Sequence, residues 1–530
     1  MTTNRKHPKG LWVLFFTEMW ERFGYYLMLG IFSLYMLDSW QNGGMGFAPQ
    51  KKSDIYGTYL GLVYLTPFIG GLLADRILGY RKSIVIGGLL MASGYLGLWV
   101  QNETMFYVSL LLIILGNGFF KPNISTLLGN LYNKDQYRDN KDAGYNIFYA
   151  GINIGAFICN FVAAYMRINY GWGWAFAAAG VGMLVGIAIF LLGTRHVKEA
   201  DVRKPLQEGD MPTGRILLSV LVPMLVFGVV GYLLPGNIFG SDTNDAFLIG
   251  CIPVVGFFIS LYVKANNEDK RPIGALLAVY ACLVVFWAVF HQNGDALTVW
   301  AEEYTDRALP TAIADPVSTL GMAQVLENDS TKETYAGYLK YAHNLGAEEQ
   351  VPYGSNLKLV SAELFQSINP FWVIVLTPIV VGLFGFLRSR GREPGTPAKI
   401  AIGLLITALS AFVMVMAVKS TNIGNEKASS LWLFASYGVI TIGELCLSPM
   451  GLSLVSKLSP PRITALMMGG FFLSTSVGNK LSGMLSGMWE GYTDKANFFI
   501  VNFLLVLPAA ILMFVLLRWL NKVMSEKGIR

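Results

Sequence analysis

Apolar runs of membrane length, broken by short polar stretches, recur along almost the whole chain. An α-helix rises 1.5 Å per residue, so about 20 apolar residues cross the hydrocarbon core of a bilayer. By that measure the pattern predicts spans near 11–37, 54–74, 82–101, 104–128, 143–166, 173–194, 215–235, 245–264, 273–297, 366–388, 398–419, 428–456, 462–488 and 495–521, fourteen in all. Two breaks are longer than the rest. Residues 195–214, "RHVKEADVRKPLQEGDMPTG", separate the first six spans from the others. Residues 298–365 carry Glu302, Glu303, Asp306, Glu327, Asp329, Glu348 and Glu349 and are too polar to span, so they are expected to fold as a small external cap.

Composition agrees with a membrane protein. Of 530 residues, 54% are hydrophobic and 14% charged, against about a quarter charged in soluble proteins. Apolar surface on that scale needs lipid as its solvent. The net charge of +6 is small for the length and spread over loops, which reads as topology and not as a nucleic-acid footprint. Lys and Arg gather on one side: Arg5, Lys6 and Lys9; Arg76, Arg81 and Lys82; Lys134, Arg138 and Lys141; Arg195, Lys198, Arg203, Lys204 and Arg215; Lys264, Lys270 and Arg271; Arg388, Arg390, Arg392 and Lys399; Lys522, Lys527 and Arg530. Both termini are therefore expected in the cytoplasm, with Lys51 and Lys52 as exceptions on the outer side. The first span continues past its charges without a small-residue cleavage site and is read as retained. Cys159, Cys251, Cys282 and Cys446 lie in apolar runs without a CxxC, so neither a disulfide framework nor a metal site is expected.

The informative residues are the charges inside spans. Each costs about 2.5–3.5 kcal/mol at a helix centre on insertion scales, so it must pair or face water. The first span holds Glu18, Glu21 and Arg22 beside Tyr25 and Tyr26. At about 100° per residue these fall near 0°, 300°, 40°, 340° and 80°, on one face, which must line a cavity. Lys121 beside Pro122 is a lone ammonium whose expected partner is the surplus acid of the first span. Glu444 is a lone carboxylate near Pro449, and His291 and Asp295 are spaced i,i+4 in the ninth run. Asn153 and Asn369 add amides, and Trp287 an aromatic wall. Positive charge at Arg22 and Lys121 and negative charge at Glu444 suit a zwitterion with amide bonds between its ends. A short peptide fits, and the remaining carboxylates are candidates to carry protons.

These segments resemble the proton-dependent oligopeptide transporters of the major facilitator superfamily. "EMWERFGYY" matches that family's ExxERFxYY motif, and "GNGFFKPNISTLLGNLY", "FYAGINIGA", "FQSINP", "GELCLSPMG" and "STSVGN" follow in the family's order. "GGLLADRILGYRKS" is similar to the superfamily's loop motif, with Gly71, Asp75, Gly79 and Arg81 in register. The resemblance implies an all-α polytopic major facilitator fold of two six-helix bundles plus two additional helices. Its expected domains are 1–194, a linker with the two extra helices at 195–272, and 273–530 with the external loop 298–365. It implies proton coupling through Glu18, Glu21, Arg22 and Lys121, with His291 or Asp295 as further proton sites. It implies a peptide pocket of Arg22, Tyr25, Tyr26, Tyr64, Lys121, Asn153, Trp287, Asn369, Glu444 and Phe471. In the loop motif the acid would cap a neighbouring helix while Arg76 and Arg81 clamp the cytoplasmic gate.

Three positions depart from the family pattern. Leu29 replaces an arginine and His291 a carboxylate that together look like an extracellular gate pair, and Phe471 replaces a pocket tryptophan. Losing both members of the pair leaves no orphan charge, and Asp295 is a candidate replacement. The expected function is proton-coupled symport of di- and tripeptides by alternating access in a bacterial inner membrane. The protein is expected to be monomeric, with the proton as coupling ion and no other cofactor. The alternative is a same-fold carrier of another small substrate such as nitrate or a modified acid. An enzyme is not expected: the chain has no HExxH, no GxxxxGK[ST] and four histidines.

Overall fold

The structure, a computed structural model, describes residues 7–138, 140–202, 212–460 and 463–527. Arg5, Lys6, Arg203, Lys204 and Arg530, which entered the charge count above, lie outside the described residues. The first group of helices is α1 (Lys9–Leu37), α2 (Pro49–Leu73), α3 (Tyr80–Gly97), α4 (Glu103–Leu131), α5 (Lys141–Tyr170) and α6 (Trp172–Gly193). A hairpin follows. Its first arm is α7 (Val222–Leu233), entered through the short helix Thr213–Ile216 and a π turn Leu217–Leu221, and its second is α8 (Asp242–Lys264). The last group is α9 (Asn267–Phe290), α10 (Ile368–Ser389), α11 (Thr396–Ser420), α12 (Ser430–Leu458), α13 (Thr464–Gly487) and α14 (Lys495–Glu526).

Among the described residues, ten helices are long and apolar enough to cross a membrane. Those that fall short are informative. Helix α1 carries Glu18, Glu21 and Arg22, α13 carries Lys480, α3 is short and glycine-rich, and α7 is shortened by its π turn. Helices α1 and α13 can carry charge because each packs against other helices: α1 on α5 and α6, α13 on α2 and α9. Helices α1–α6 pack among themselves, as do α9–α14, and the two bundles meet along α2 against α13 and α5 against α10. At the first seam glycines allow backbone contact: a Cβ on Gly57 would lie 2.8 Å from the Cα of Gly483. The hairpin joins the core of the second bundle through Phe247, Val254 and Phe258.

Helix α9 begins at Asn267, several residues before the expected start. Asn266 caps it, accepting a hydrogen bond from the backbone N–H of Asp269, with Glu268 and Asp269 in the first turn. That polar first turn reads as loop on hydropathy alone. Its outer end also differs from a plain span. The helix tightens into a 3-10 turn at His291–Gly294, then resumes as a short helix Ala296–Glu303. The break exposes carbonyls that later residues use.

Beyond it, residues 305–360 form a small folded unit. Strand β1 (Thr305–Asp306) pairs in parallel with β4 (Ala428–Ser429), and β2 (Ala323–Glu327) runs antiparallel to β3 (Asn356–Val360) with Ala323 opposite Val360. Leu326, Tyr338, Tyr341, Ala342 and Leu359 form its own small core. On the opposite face, Arg388 and Lys399 hydrogen-bond Glu393 in the α10–α11 turn and hold its carboxyl down to about 2. A depressed carboxyl pKa contributes stability above its unfolded value and loses it only as pH falls toward the folded one, so this turn does not titrate near neutrality.

Leu359 is fully buried in the cap. Leu359→Ala should destabilise the cap by about 2–5 kcal/mol. Limited proteolysis should then cut within residues 323–360 while the membrane helices stay intact. A variant as resistant as the parent would mean the cap has no cooperative core.

Candidate functional site

The charged face of α1 is resolved into one knot. The Arg22 guanidinium binds Glu21 at both oxygens, through Nε to Oε2 and through Nη2 to Oε1 at 2.6 Å. It also lies 3.3 Å from Glu18, one turn back. All three side chains are buried. The Tyr25 ring stacks under the guanidinium at 4.9 Å. Both acids are therefore taken by Arg22, and among the described residues no ion pair joins Lys121 to either, contrary to the sequence expectation. A guanidinium offers five donors in a fork and can serve two carboxylates, whereas an ammonium is a point charge. Lys121 sits instead over the Tyr64 ring, 4.1 Å from its centroid.

Tyr64 is the link to a chamber of about 760 Å³ between the bundles. Tyr25, Tyr26, Leu29 and Tyr64 line it from the first bundle; Trp287, His291, Asn369 and Glu444 line it from the second. Glu444 accepts a hydrogen bond from Asn369 at 3.2 Å, and the same amide donates to Thr441 at 2.9 Å. Asn369 thus aims the carboxylate as well as lining the wall. His291 lies in an aromatic box, 5.1 Å from Trp287 and 5.7 Å from Tyr64 between ring centroids. The chamber thus has an oriented carboxylate, Glu444, in its wall on one bundle, and on the other a tyrosine, Tyr64, that carries the Lys121 ammonium on its ring.

Four predicted pocket residues are not in the chamber lining: Lys121, held on the Tyr64 ring, and three others. Arg22 is behind Tyr25 and Tyr26, spent on the acids. Asn153 donates to the Tyr149 carbonyl one turn back at 2.9 Å. Phe471 is 4% exposed in the core of the second bundle and does not form the pocket floor. In the loop between α2 and α3, Asp75 accepts from the Tyr80 hydroxyl at 2.6 Å. The acid that caps α3 is Asp201, which takes the backbone N–H of Tyr80 at 2.8 Å. Gly79 makes the bend with φ +82°, and Arg81 donates to Thr194 at 2.9 Å. Arg76 lies in the π turn Ala74–Leu78 that ends α2.

On the halves away from the chain termini the bundles are tied by three ion pairs, one fully buried and two with one half-buried member. Lys52 of α2 bonds Asp295, and both are buried. Ser33 of α1 donates to the Gly294 carbonyl at 2.8 Å, in the break after α9. Arg167 of α5 bonds Glu363, just before α10, at 2.8 and 3.0 Å. Lys480 of α13 bonds Asp54 of α2 at 2.6 Å. Nearer mid-helix, Ser476 donates to the Gly61 carbonyl at 2.6 Å and Ser367 to the Phe157 carbonyl at 2.9 Å. Among the described residues, no side-chain bond joins the bundles on the half nearer the chain termini. Among those residues the side-chain ties lie on the half away from the chain termini.

Asp295, a candidate from spacing, bonds Lys52 across the bundles. Its partner was missed, although Lys51 and Lys52 were visible as the anomaly in the charge pattern. Lys480 was likewise overlooked directly after "STSVGN", and Arg167 and Glu363 fell at the edges of spans.

A family model described as the POT family matches residues 81–314 and 354–501. A di-/tripeptide transporter of Lactococcus lactis subsp. lactis (strain IL1403) is 29% identical over 530 residues, covering 98% of this chain and 97% of that protein. The uncharacterized transporter YclF of Bacillus subtilis (strain 168) is 30% identical over 515 residues, 96% of this chain and 93% of its own. The crystal structure of a peptide transporter POT in complex with sulfate superposes with TM-score 0.78 at 28% identity, covering 98% of this chain and 96% of that one.

Removing one member of a buried ion pair costs about 3–5 kcal/mol, whereas removing both costs far less. Lys52→Gln and Asp295→Asn should each lower the Tm, and the double variant should recover most of the loss. Additive losses would mean that the pair does not hold the outer face.

Proposed function

This chain belongs to the POT family, and on that premise we propose that it is a proton-coupled symporter importing di- and tripeptides by alternating access. The observation that carries the reading is the pair of opposite charges placed at the chamber, a Glu444 carboxylate in its wall aimed by Asn369 and the Lys121 ammonium on the ring of the lining residue Tyr64. A peptide amino terminus would meet Glu444 and its carboxylate Lys121, with the tyrosines and Trp287 around the backbone. Desolvated charge–charge contacts of this kind select for a zwitterion. A one-sided anion such as nitrate would leave Glu444 without a partner, which makes the alternative substrate the weaker reading.

The knot on α1 supplies a means of coupling. While Glu18 and Glu21 are both ionised, Arg22 is fully engaged. A proton on either acid frees part of the guanidinium, one turn from the pocket tyrosines, to attract the peptide carboxylate beside Lys121. The proton and the peptide then favour one another, because protonating an acid releases the cation that the peptide carboxylate binds. His291 has no carboxylate bonded to its ring, so the acids of α1 are the better proton site. Alternating access would follow from exchanging the outer latches for closure on the other side. We further propose that both termini are cytoplasmic, so that the latched side is external, and that the protein acts as a monomer in the bacterial inner membrane. The proton is the coupling ion, and no chemical step is part of the cycle.

In proteoliposomes, a proton gradient should drive uptake of dialanine, and a protonophore should abolish it. Glu21→Gln should lose gradient-driven uptake yet retain peptide counterflow exchange. Lys121→Ala and Glu444→Ala should each raise the KM for dialanine at least tenfold. Uptake indifferent to the protonophore, or inhibited by nitrate and not by peptides, would remove this reading.

A further inference from the structure

A second cavity lies outside the central chamber. Helices α2, α7, α8 and α13 line a narrow, partly open apolar crevice. Its walls include Leu65 and Phe68 of α2, Met224 of α7, Val254 and Phe257 of α8, and Phe472 of α13. These positions lie in the half of the membrane nearer the chain termini. Tyr64 is the sole lining residue with a polar side chain, and it also lines the central chamber. A buried water needs two to four polar partners, so these walls do not suit water. Met224, Phe257 and Phe472 are only half-buried, and the neighbouring Leu218 and Val222 are exposed. The crevice therefore opens at hydrocarbon depth, where an acyl chain is the available apolar molecule.

Charge identifies which lipid. Arg215, in the short helix before α7, and Lys264, at the end of α8, lie beyond the crevice toward the chain termini, Lys264 about 10 Å past Phe257 by helical rise. Both are exposed. Among the described residues, neither side chain makes an ion pair or hydrogen bond. Cations at that depth attract anionic headgroups. We propose that the crevice holds one acyl chain of an anionic phospholipid whose phosphate meets Arg215 and Lys264. The chain packs on Tyr64 and Phe68 of the first bundle and on Phe472 of the second, so it wedges the bundles at their present separation. It also backs the tyrosine on which Lys121 rests, which links lipid occupancy to the substrate chamber. The binding itself does not depend on the transport reading.

The test uses the full-length protein in detergent, titrated with phosphatidylglycerol or phosphatidylcholine and followed by thermal unfolding. Both lipids should raise the Tm of the parent, phosphatidylglycerol more. Met224→Trp, which fills the crevice, should lose most of the rise with both lipids. Arg215→Gln combined with Lys264→Gln should keep the phosphatidylcholine rise and lose the extra gain with phosphatidylglycerol. A full response in the Met224→Trp protein, or an undiminished preference for phosphatidylglycerol in the doubly neutral protein, overturns the proposal. The second variant changes only exposed side chains, so its outcome stands even where the first fails to fold.

Discussion

A charge inside a bilayer must have a partner, and in this chain three pairs on the half away from the termini join opposite bundles. Lys52 reaches Asp295, Arg167 reaches Glu363 and Lys480 reaches Asp54. Each pair is cheap while intact and costly when one member is stranded. That asymmetry makes the outer seam a switch and not a hinge of graded stiffness. Either the pairs stay together, or the whole seam opens to water, which solvates both members at once. The glycine contact of Gly57 with Gly483 brings α2 and α13 close enough for the Lys480 pair to form.

The same rule orders the centre of the protein in the opposite sense. Arg22 is saturated by two acids of its own helix, while Lys121 rests on an aromatic face. A saturated cation can respond to a proton, and an uncommitted one can respond to a substrate. Tyr64 touches both systems, lining the chamber, carrying Lys121 and backing the apolar crevice beside the hairpin. The inserted hairpin is also bound into the outer seam, because Ser241 and Thr243 donate to the carboxylate of Asp54 that Lys480 uses.

Much of this was legible in the chain. Apolar runs gave the helices, and the intramembrane charges singled out Glu18, Glu21, Arg22, Lys121 and Glu444 before any coordinate. What sequence could not supply was who pairs with whom. Periodicity ranks residues by face within one helix, and it is silent about distance between helices. Lys121 was therefore assigned to the acids of α1 on charge balance, when the geometry of one guanidinium suffices for both. Phe471 was assigned to the pocket by motif position, but helix rotation turns it into the core. The α9 boundary was missed because a capped, acidic first turn looks like a loop on hydropathy. The cap's strands were hidden because its short segments follow turn chemistry and local packing rather than membrane periodicity.

The central claim is that cross-bundle charge pairs hold the outer face shut. It is tested most directly by spin-label distances between Gln50→Cys and Glu490→Cys, exposed sites at the outer ends of α2 and just before α14. In liposomes at neutral pH without peptide, the parent should give one short distance. Neutralising Asp295 and Glu363 together should add a longer, outer-open population. A distribution that stays unchanged after both carboxylates are removed would contradict the account.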